Sequence, residues 1–202
     1  MSELEHERTE DLVLQAQAGD TDAREQIMLR FGPRLLQILE IELGPKLRKQ
    51  VAVEDVLQET LMQAHVYLER FEFRSDATFL DWLVTIGLNV IRTESERWSR
   101  KKRDSDRLIG GDAAEETIRR ITAHLTGPLS GAMRGEHESC VQKALDALDE
   151  RHRRVIVLRV YIGLSFAQIA ERVGRPTEGA ARELFFRARA KLAKEMRRHG
   201  LE

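Results

Sequence analysis

Cysteine is almost missing from this chain of 202 residues: Cys140 is the only one. A lone thiol excludes an internal disulfide and a cysteine-based zinc site, and His137, three residues earlier, brings the possible ligands only to two. Proline (four residues) and aromatics (5 %) are scarce as well, which fits helices better than a β-sandwich. No apolar run approaches the ~20 residues of a membrane span. The opening MSELEHERTEDL is acidic and polar, unlike a signal or transit peptide. A cytosolic chain without membrane insertion is therefore expected. There is also no Gly-rich phosphate loop and no nucleophile motif, and the six histidines are scattered. Neither an enzyme nor a bound cofactor is expected. What is present is 42 % apolar and 33 % charged residues at a net charge of −1, enough for one large helical domain or two small ones.

The near-neutral total hides an uneven distribution. Residues 1–30 carry eight acids against three arginines, a net charge of −5. Residues 151–202 carry 13 Lys and Arg against five acids, a net charge of +8. A basic module in a neutral chain points to a polyanion partner, because phosphate attraction supplies most non-specific nucleic-acid affinity.

The basic end contains the most informative stretch, SFAQIAERVGRPTEGAARELFFRARAKLAKEMRR (165–198). Ser165 is a suitable N-cap, and Phe166, Ile169, Ala170 and Val173 follow at the spacing of one helix face. Gly174 stops that helix and Arg175-Pro176 turns the chain. Thr177 caps a second helix with Ala181, Leu184, Phe185, Ala188, Leu192 and Met196 on one face. Short helix, tight turn and longer basic helix make a helix-turn-helix whose second helix enters a major groove. An ordinary helical hairpin is the alternative. Two further helices precede it: one with Val141, Ala144, Leu145 and Leu148 inward, one with Val155, Leu158 and Ile162 inward and ended by Gly163.

Upstream, a short helix around Leu12–Ala18 stops at Gly19, and Asp20 caps a second. The second runs through Ile27, Phe31, Leu35, Ile38 and Leu39, with Pro33 expected to kink or divide it and Gly44-Pro45 to stop it. The next is expected from Val53 to Phe71, with Leu57, Leu61, Ala64, Leu68 and Phe71 inward. Its opposite face carries Asp55, Glu59, Met62 and Val66. Acids beside exposed apolar groups suit a protein partner with a basic, partly apolar groove; a mildly apolar surface or an internal contact fits the spacing equally well. A loop, FEFRSDAT (71–78), leads to a long helix with Phe79, Trp82, Leu83, Ile86 and Val90 on one face. That helix has a basic end, Arg92–Arg103.

Residues 104–137 read as a Gly-punctuated flexible linker with room for a short helix, Ala113–Leu125, striped by Ile118, Ile121 and Leu125. Fully extended it reaches roughly 100 Å, more than the ~70 Å of two DNA turns. The expected fold is all-α: two small helical domains, 1–103 and 138–202, joined by that linker, the second a four-helix unit containing the helix-turn-helix.

Taken together, the motifs resemble those of bacterial RNA polymerase sigma factors of the extracytoplasmic-function class. The resemblance rests on VEDVLQETLMQAHVYLERF, on the run Phe79, Trp82, Leu83, Ile86, Asn89, on LDALDERHRRVIVLR and GLSFAQIA, and on Arg187–Leu192. It covers residues ~10–103 and ~138–198, matching family regions 2 and 4. It implies a non-catalytic subunit that directs promoter-specific initiation. Asp55, Gln58, Glu59, Met62 and Val66 would dock on the β′ clamp helices of core RNA polymerase, and the C-terminal module on the β flap. Phe73, Arg74, Ser75 and Asp76 would hold a base flipped from the −10 element, with Asn89 and Arg92 supporting that strand. Thr177, Gly179, Arg182, Glu183, Phe186 and Arg187 would meet the −35 element of promoter DNA. An anti-sigma factor is a plausible regulator. The chain departs from the family where relatives often carry a Lys-Ser-Arg-like triplet and this one has Arg182, Glu183 and Leu184. Leu184 falls near the core face, which leaves Glu183 facing a cytosine amine, Phe186 a thymine methyl and Arg187 a guanine or phosphate. A stand-alone helix-turn-helix repressor is the competing reading, but it needs a dimerisation or ligand domain.

Overall fold

The computed structural model describes residues 3–101, 113–126 and 136–200. Every regular element among them is helical, and the chain separates into two units at Gly127/Pro128.

The first unit holds α1 (Glu3–Gln17), α2 (Thr21–Leu47), α3 (Val53–Tyr67), α4 (Asp76–Lys101) and α5 (Ala113–Thr126). Asp20 caps α2 by accepting from the amides of Asp22 and Ala23. Helical dihedrals continue through Pro33, an exposed position. The break falls at Gly44, whose φ of 64° interrupts the helix before one last turn. The expected kink or division at Pro33 is therefore corrected in favour of Gly44. Burial matches the apolar spacing: Leu35, Ile38 and Leu39 of α2, Leu57 and Leu61 of α3, and Phe79 and Leu80 of α4 are essentially sealed from solvent.

Two boundaries differ from expectation. Helix α3 ends at Tyr67, and Leu68–Arg70 form a tighter 3-10 turn closed by Phe71 N–H donating to Leu68 C=O. Helix α4 begins at Asp76, so Asp76, Ala77 and Thr78 belong to a helix and not to the loop. The cause is a reciprocal cap: the Thr78 amide donates to Ser75 Oγ while the Ser75 amide donates to Thr78 Oγ1.

Helix α5 lies within the stretch read as linker, yet it packs on α2 and α3. Ile118, Ile121 and Leu125 are buried, and Arg120 pairs with Glu25 of α2 at 2.7 Å. A Cβ on Gly32 would sit 2.4 Å from Leu125 Cδ1, so the missing side chain on α2 is what admits that leucine. The remainder of that stretch, 104–112 and 127–135, lies outside the described residues.

The second unit holds α6 (Glu136–Asp146), α7 (Glu150–Ile156), α8 (Phe166–Arg172) and α9 (Glu178–Arg198). A wider, π-type stretch, Val157–Ile162, extends α7 until Gly163 ends it at a φ of 91°. Ala144, Leu145, Val155, Leu158, Ile162, Ile169, Ala181 and Ala188 form the core. Phe166 and Phe185 meet edge-on at 5.6 Å, and the Arg159 guanidinium lies 4.7 Å from the Phe166 ring centre.

Candidate nucleic-acid interface

Three surfaces carry the residues singled out from sequence. The first is the outer side of α3. The apolar stripe of that helix is buried, and the opposite side leaves Asp55 and Val66 exposed and Gln58, Glu59 and Met62 half-buried. Gln63 donates to Glu59 at 2.8 Å, holding one carboxylate oxygen in place. Val66 is 65 % exposed and its neighbour Tyr67 50 %, so apolar surface continues toward the end of the helix.

The second surface is the connection from α3 to α4. Phe71 packs on Trp82 at 4.8 Å and Phe79 at 5.2 Å, and Phe79 meets Phe31 at 4.8 Å. These rings form a cluster, and Glu72, Phe73 and Arg74 follow Phe71 as a short irregular segment, the arch, leading to α4. Glu72 and Arg74 pair at 3.4 Å with both side chains well exposed, and Phe73 is half-buried. Ser75 closes the far end through the cap described above, so its hydroxyl is already engaged in holding α4. Asp76 occupies the first turn of α4, and its side chain lies outside the described residues. Asn89 and Arg92 are exposed further along α4, where the Asn89 carbonyl accepts from Thr93 Oγ1 at 2.9 Å. Of the basic end noted from sequence, Arg92–Arg103, the side chains of Arg100 and Lys101 and the whole of Lys102 and Arg103 lie outside the described residues.

Sequence reasoning missed two residues here. Gln17 donates from Nε2 to the carbonyls of Leu68 (3.0 Å) and Phe71 (2.6 Å). Arg24 donates to the Ala16 carbonyl and also reaches His65 and Glu69. Neither sits on an apolar stripe nor in a motif, so spacing carried no signal for them. Glu72, the partner of Arg74, lay within the loop but was not singled out.

The third surface is α9. Ser165 and Gln168 make a complete capping box at the start of α8, the turn contains Gly174 at a φ of 63°, and Thr177 Oγ1 accepts from the Ala180 amide to start α9. Leu184 is buried while Glu183, Phe186 and Arg187 face outward, with Phe186 56 % exposed. Gly179 is exposed and meets little: a Cβ there would find only Thr177 Oγ1, at 3.9 Å. The outward charges are paired along the helix. Arg182 bonds Glu178 at 2.7 Å and lies 5.3 Å from the Phe166 ring centre; Arg187 bonds Glu183. At the base of the module Asp149 caps α7 and binds His152 (2.6 Å) and Lys191 (3.1 Å), linking α7 to α9. Partial burial opposes ionisation of Asp149, but these bonds outweigh it and hold the carboxyl well below the usual carboxylate range.

A capped helix-turn-helix in its own unit, with every regular element among the described residues helical, is an arrangement typical of DNA-binding proteins of the major-groove class. Comparison with known proteins narrows the class. Residues 138–192 match the family described as Sigma-70, region 4. The chain is 28 % identical over 193 residues to the RNA polymerase sigma-H factor of Pseudomonas aeruginosa, covering 96 % of each chain. It is 30 % identical over 183 residues to the RNA polymerase sigma factor NccH of Alcaligenes xylosoxydans xylosoxydans, covering 91 % of each. Against the ECF RNA polymerase sigma factor SigD of Mycobacterium tuberculosis it is 27 % identical over 195 residues, covering 96 % of this chain and 86 % of the relative. Among solved structures it superposes on CnrH in complex with the cytosolic domain of CnrY, with a TM-score of 0.52, 26 % identity, and 91 % and 93 % of the two chains covered. The chain belongs to the RNA polymerase sigma factors of the ECF class, non-catalytic subunits that direct transcription initiation. Among the described residues no helix is long and apolar enough to cross a membrane.

Proposed function

We propose that this sigma factor binds core RNA polymerase through α3 and reads promoters through the 72–74 arch and α9. Asp55, Gln58, Glu59, Met62 and Val66 meet the β′ clamp helices, where carboxylates beside apolar groups complement a basic, partly apolar groove. The second unit rests on the β flap. The arch takes a base flipped from the −10 element: Phe73 supplies a stacking wall, Arg74 a charged edge, and Ser75 and Asp76 the start of α4 behind it. Asn89 and Arg92 support the same strand. Because their hydroxyls cap helices, Ser75 and Thr177 act mainly by fixing helix N-termini, whose amides suit phosphate.

On the −35 element α9 enters the major groove. Glu183 accepts from a cytosine amine, Phe186 touches a thymine methyl, and Arg182 and Arg187 bond phosphate or guanine. Gly179 admits the backbone close to the duplex. Residues 1–103 and 138–202 carry the two readers, and 104–137 joins them, with α5 docked on the first. The chain works in the cytoplasm. An anti-sigma factor that covers these surfaces is the expected regulator, in keeping with the CnrH complex with CnrY.

The observation that carries this reading is the arch: two exposed charged residues flanking an aromatic one, held by hydrogen bonds at both ends and next in the chain to a cluster of rings, in the same chain as a helix-turn-helix. Co-purification with core polymerase tests the docking half. The wild-type chain is expected to elute with core enzyme, and Asp55→Arg combined with Val66→Asp to elute alone at unchanged helicity. Retention of that double variant would remove α3 from the proposal.

A further inference from the structure

We propose that Gln17 is a positioning residue for promoter specificity: its side-chain amide sets the height and register of the 72–74 arch. This rests on the reading of the arch as the −10 reader. Gln17 is the last residue of α1, far in sequence from the arch, and its amide nitrogen donates to two carbonyls of the turn that leads into it. One bond goes to the Leu68 carbonyl, which already closes the 3-10 turn by accepting from Phe71 N–H. The other goes to the Phe71 carbonyl, the last main-chain group before the arch begins. The Phe71 carbonyl lies past the last turn, where intrahelical donors run out, so an outside donor there helps decide where the chain leaves. Arg24 stiffens the donor's own support, because its Nε holds the Ala16 carbonyl next door at 2.8 Å while its other nitrogens reach His65 and Glu69.

The far end of the arch is fixed independently by the Ser75–Thr78 cap. With both ends pinned, only three residues between them can present to DNA, and a shift at the near end moves all three. A site held about 1 Å too loosely is the usual way a correct set of residues loses selectivity. Gln17 thus governs which base is accepted without touching DNA itself.

The test uses reconstituted holoenzyme, the full chain with core polymerase, on promoters that differ by single bases in the −10 or −35 element. Gln17→Met keeps the length and removes both donors; Gln17→Lys restores a donor able to reach the carbonyls. Gln17→Met is expected to shrink −10 base discrimination by roughly three- to tenfold, to leave −35 discrimination unchanged, and to be rescued at least in part by Gln17→Lys. If Gln17→Met lowers the melting temperature too far for the assay, Gln17→Asn, whose shorter amide cannot span both carbonyls, gives the same readout. Equal loss on all promoters with discrimination intact would overturn the proposal, since a merely structural role predicts that. Phe73→Ala separates the two layers. If it lowers −10 discrimination and Gln17→Met does not, the positioning role alone fails. If Phe73→Ala leaves discrimination untouched, the arch is not the reader and both fail.

Discussion

In the first unit the proposed reader is a three-residue arch, a half-buried aromatic between two exposed charged groups, pinned at both ends by hydrogen bonds. In the second they form the outer face of a continuous helix within a segment of net charge +8. The arch owes its shape to packing, to hydrogen bonds donated by Gln17 and to the reciprocal bonds between Ser75 and Thr78. The helix owes its shape to its own backbone, and its tertiary contacts serve only to aim it. One pairs a single arginine with a single glutamate; the other pairs two arginines with two glutamates at i,i+4. On the proposed roles, the contrast teaches that a strand-holding site has to be assembled from several distant elements, whereas a groove reader needs one helix and a cap.

Removing the ring cluster should break that contrast hardest. Phe79 is 1 % exposed and touches Phe31, Phe71 and Trp82. Phe79→Ala is expected to cost about 3–5 kcal/mol of first-unit stability, read by denaturant unfolding, while the second unit's transition stays in place. Salt should separate the two readers next. For about three phosphate contacts, duplex −35 binding by holoenzyme falls about fortyfold between 50 and 200 mM salt, whereas single-strand −10 capture with about one contact falls about threefold. Phe73→Ala should weaken single-strand capture by about 1–3 kcal/mol in a fluorescence anisotropy assay and leave duplex −35 binding alone.

A subtler change is expected from Glu183→Ala. It removes an acceptor for one base and also frees Arg187 from its ion pair. Binding-site selection should show relaxed preference at one cytosine, and non-specific affinity should rise with a salt slope about one unit steeper. Unchanged preference would remove Glu183 from base reading. The smallest effect concerns Asp149. Its folded-state carboxyl is depressed below the unfolded value of ~3.9. Its stabilisation is therefore present above about pH 4 and is lost as pH falls through the lower folded value. Asp149→Asn, which keeps a good N-cap, should lower second-unit stability slightly at pH 7 and converge on wild type in acid, so that the acid limb of second-unit unfolding flattens.

Much of the second unit is legible in its residues because its rules are local. Ser165 and Thr177 cap, Gly163 and Gly174 stop, and the apolar spacing separates buried Leu184 and Phe185 from exposed Glu183 and Phe186. The first unit hides more. Pro33 reads as a breaker, yet α2 passes through it and breaks at Gly44. The stripe Ile118, Ile121, Leu125 is visible, but its partner is a missing side chain at Gly32, far away in sequence. The extent of the loop depends on the Ser75–Thr78 cap, which resembles an ordinary polar pair until the helix is seen to start there. Gln17 is invisible for the same reason: a polar residue that donates to distant backbone leaves no periodic trace.

Mapping transcript 5′ ends from core polymerase with and without this chain tests the central claim most directly. Two readers on one sigma factor, an arch and a helix, predict new, defined start sites, each preceded by −10 and −35 sequences, which disappear when either reader is disabled by Phe73→Ala or by Arg187→Ala combined with Phe186→Ala. An unchanged set of start sites, or initiation that survives loss of both readers, would contradict it.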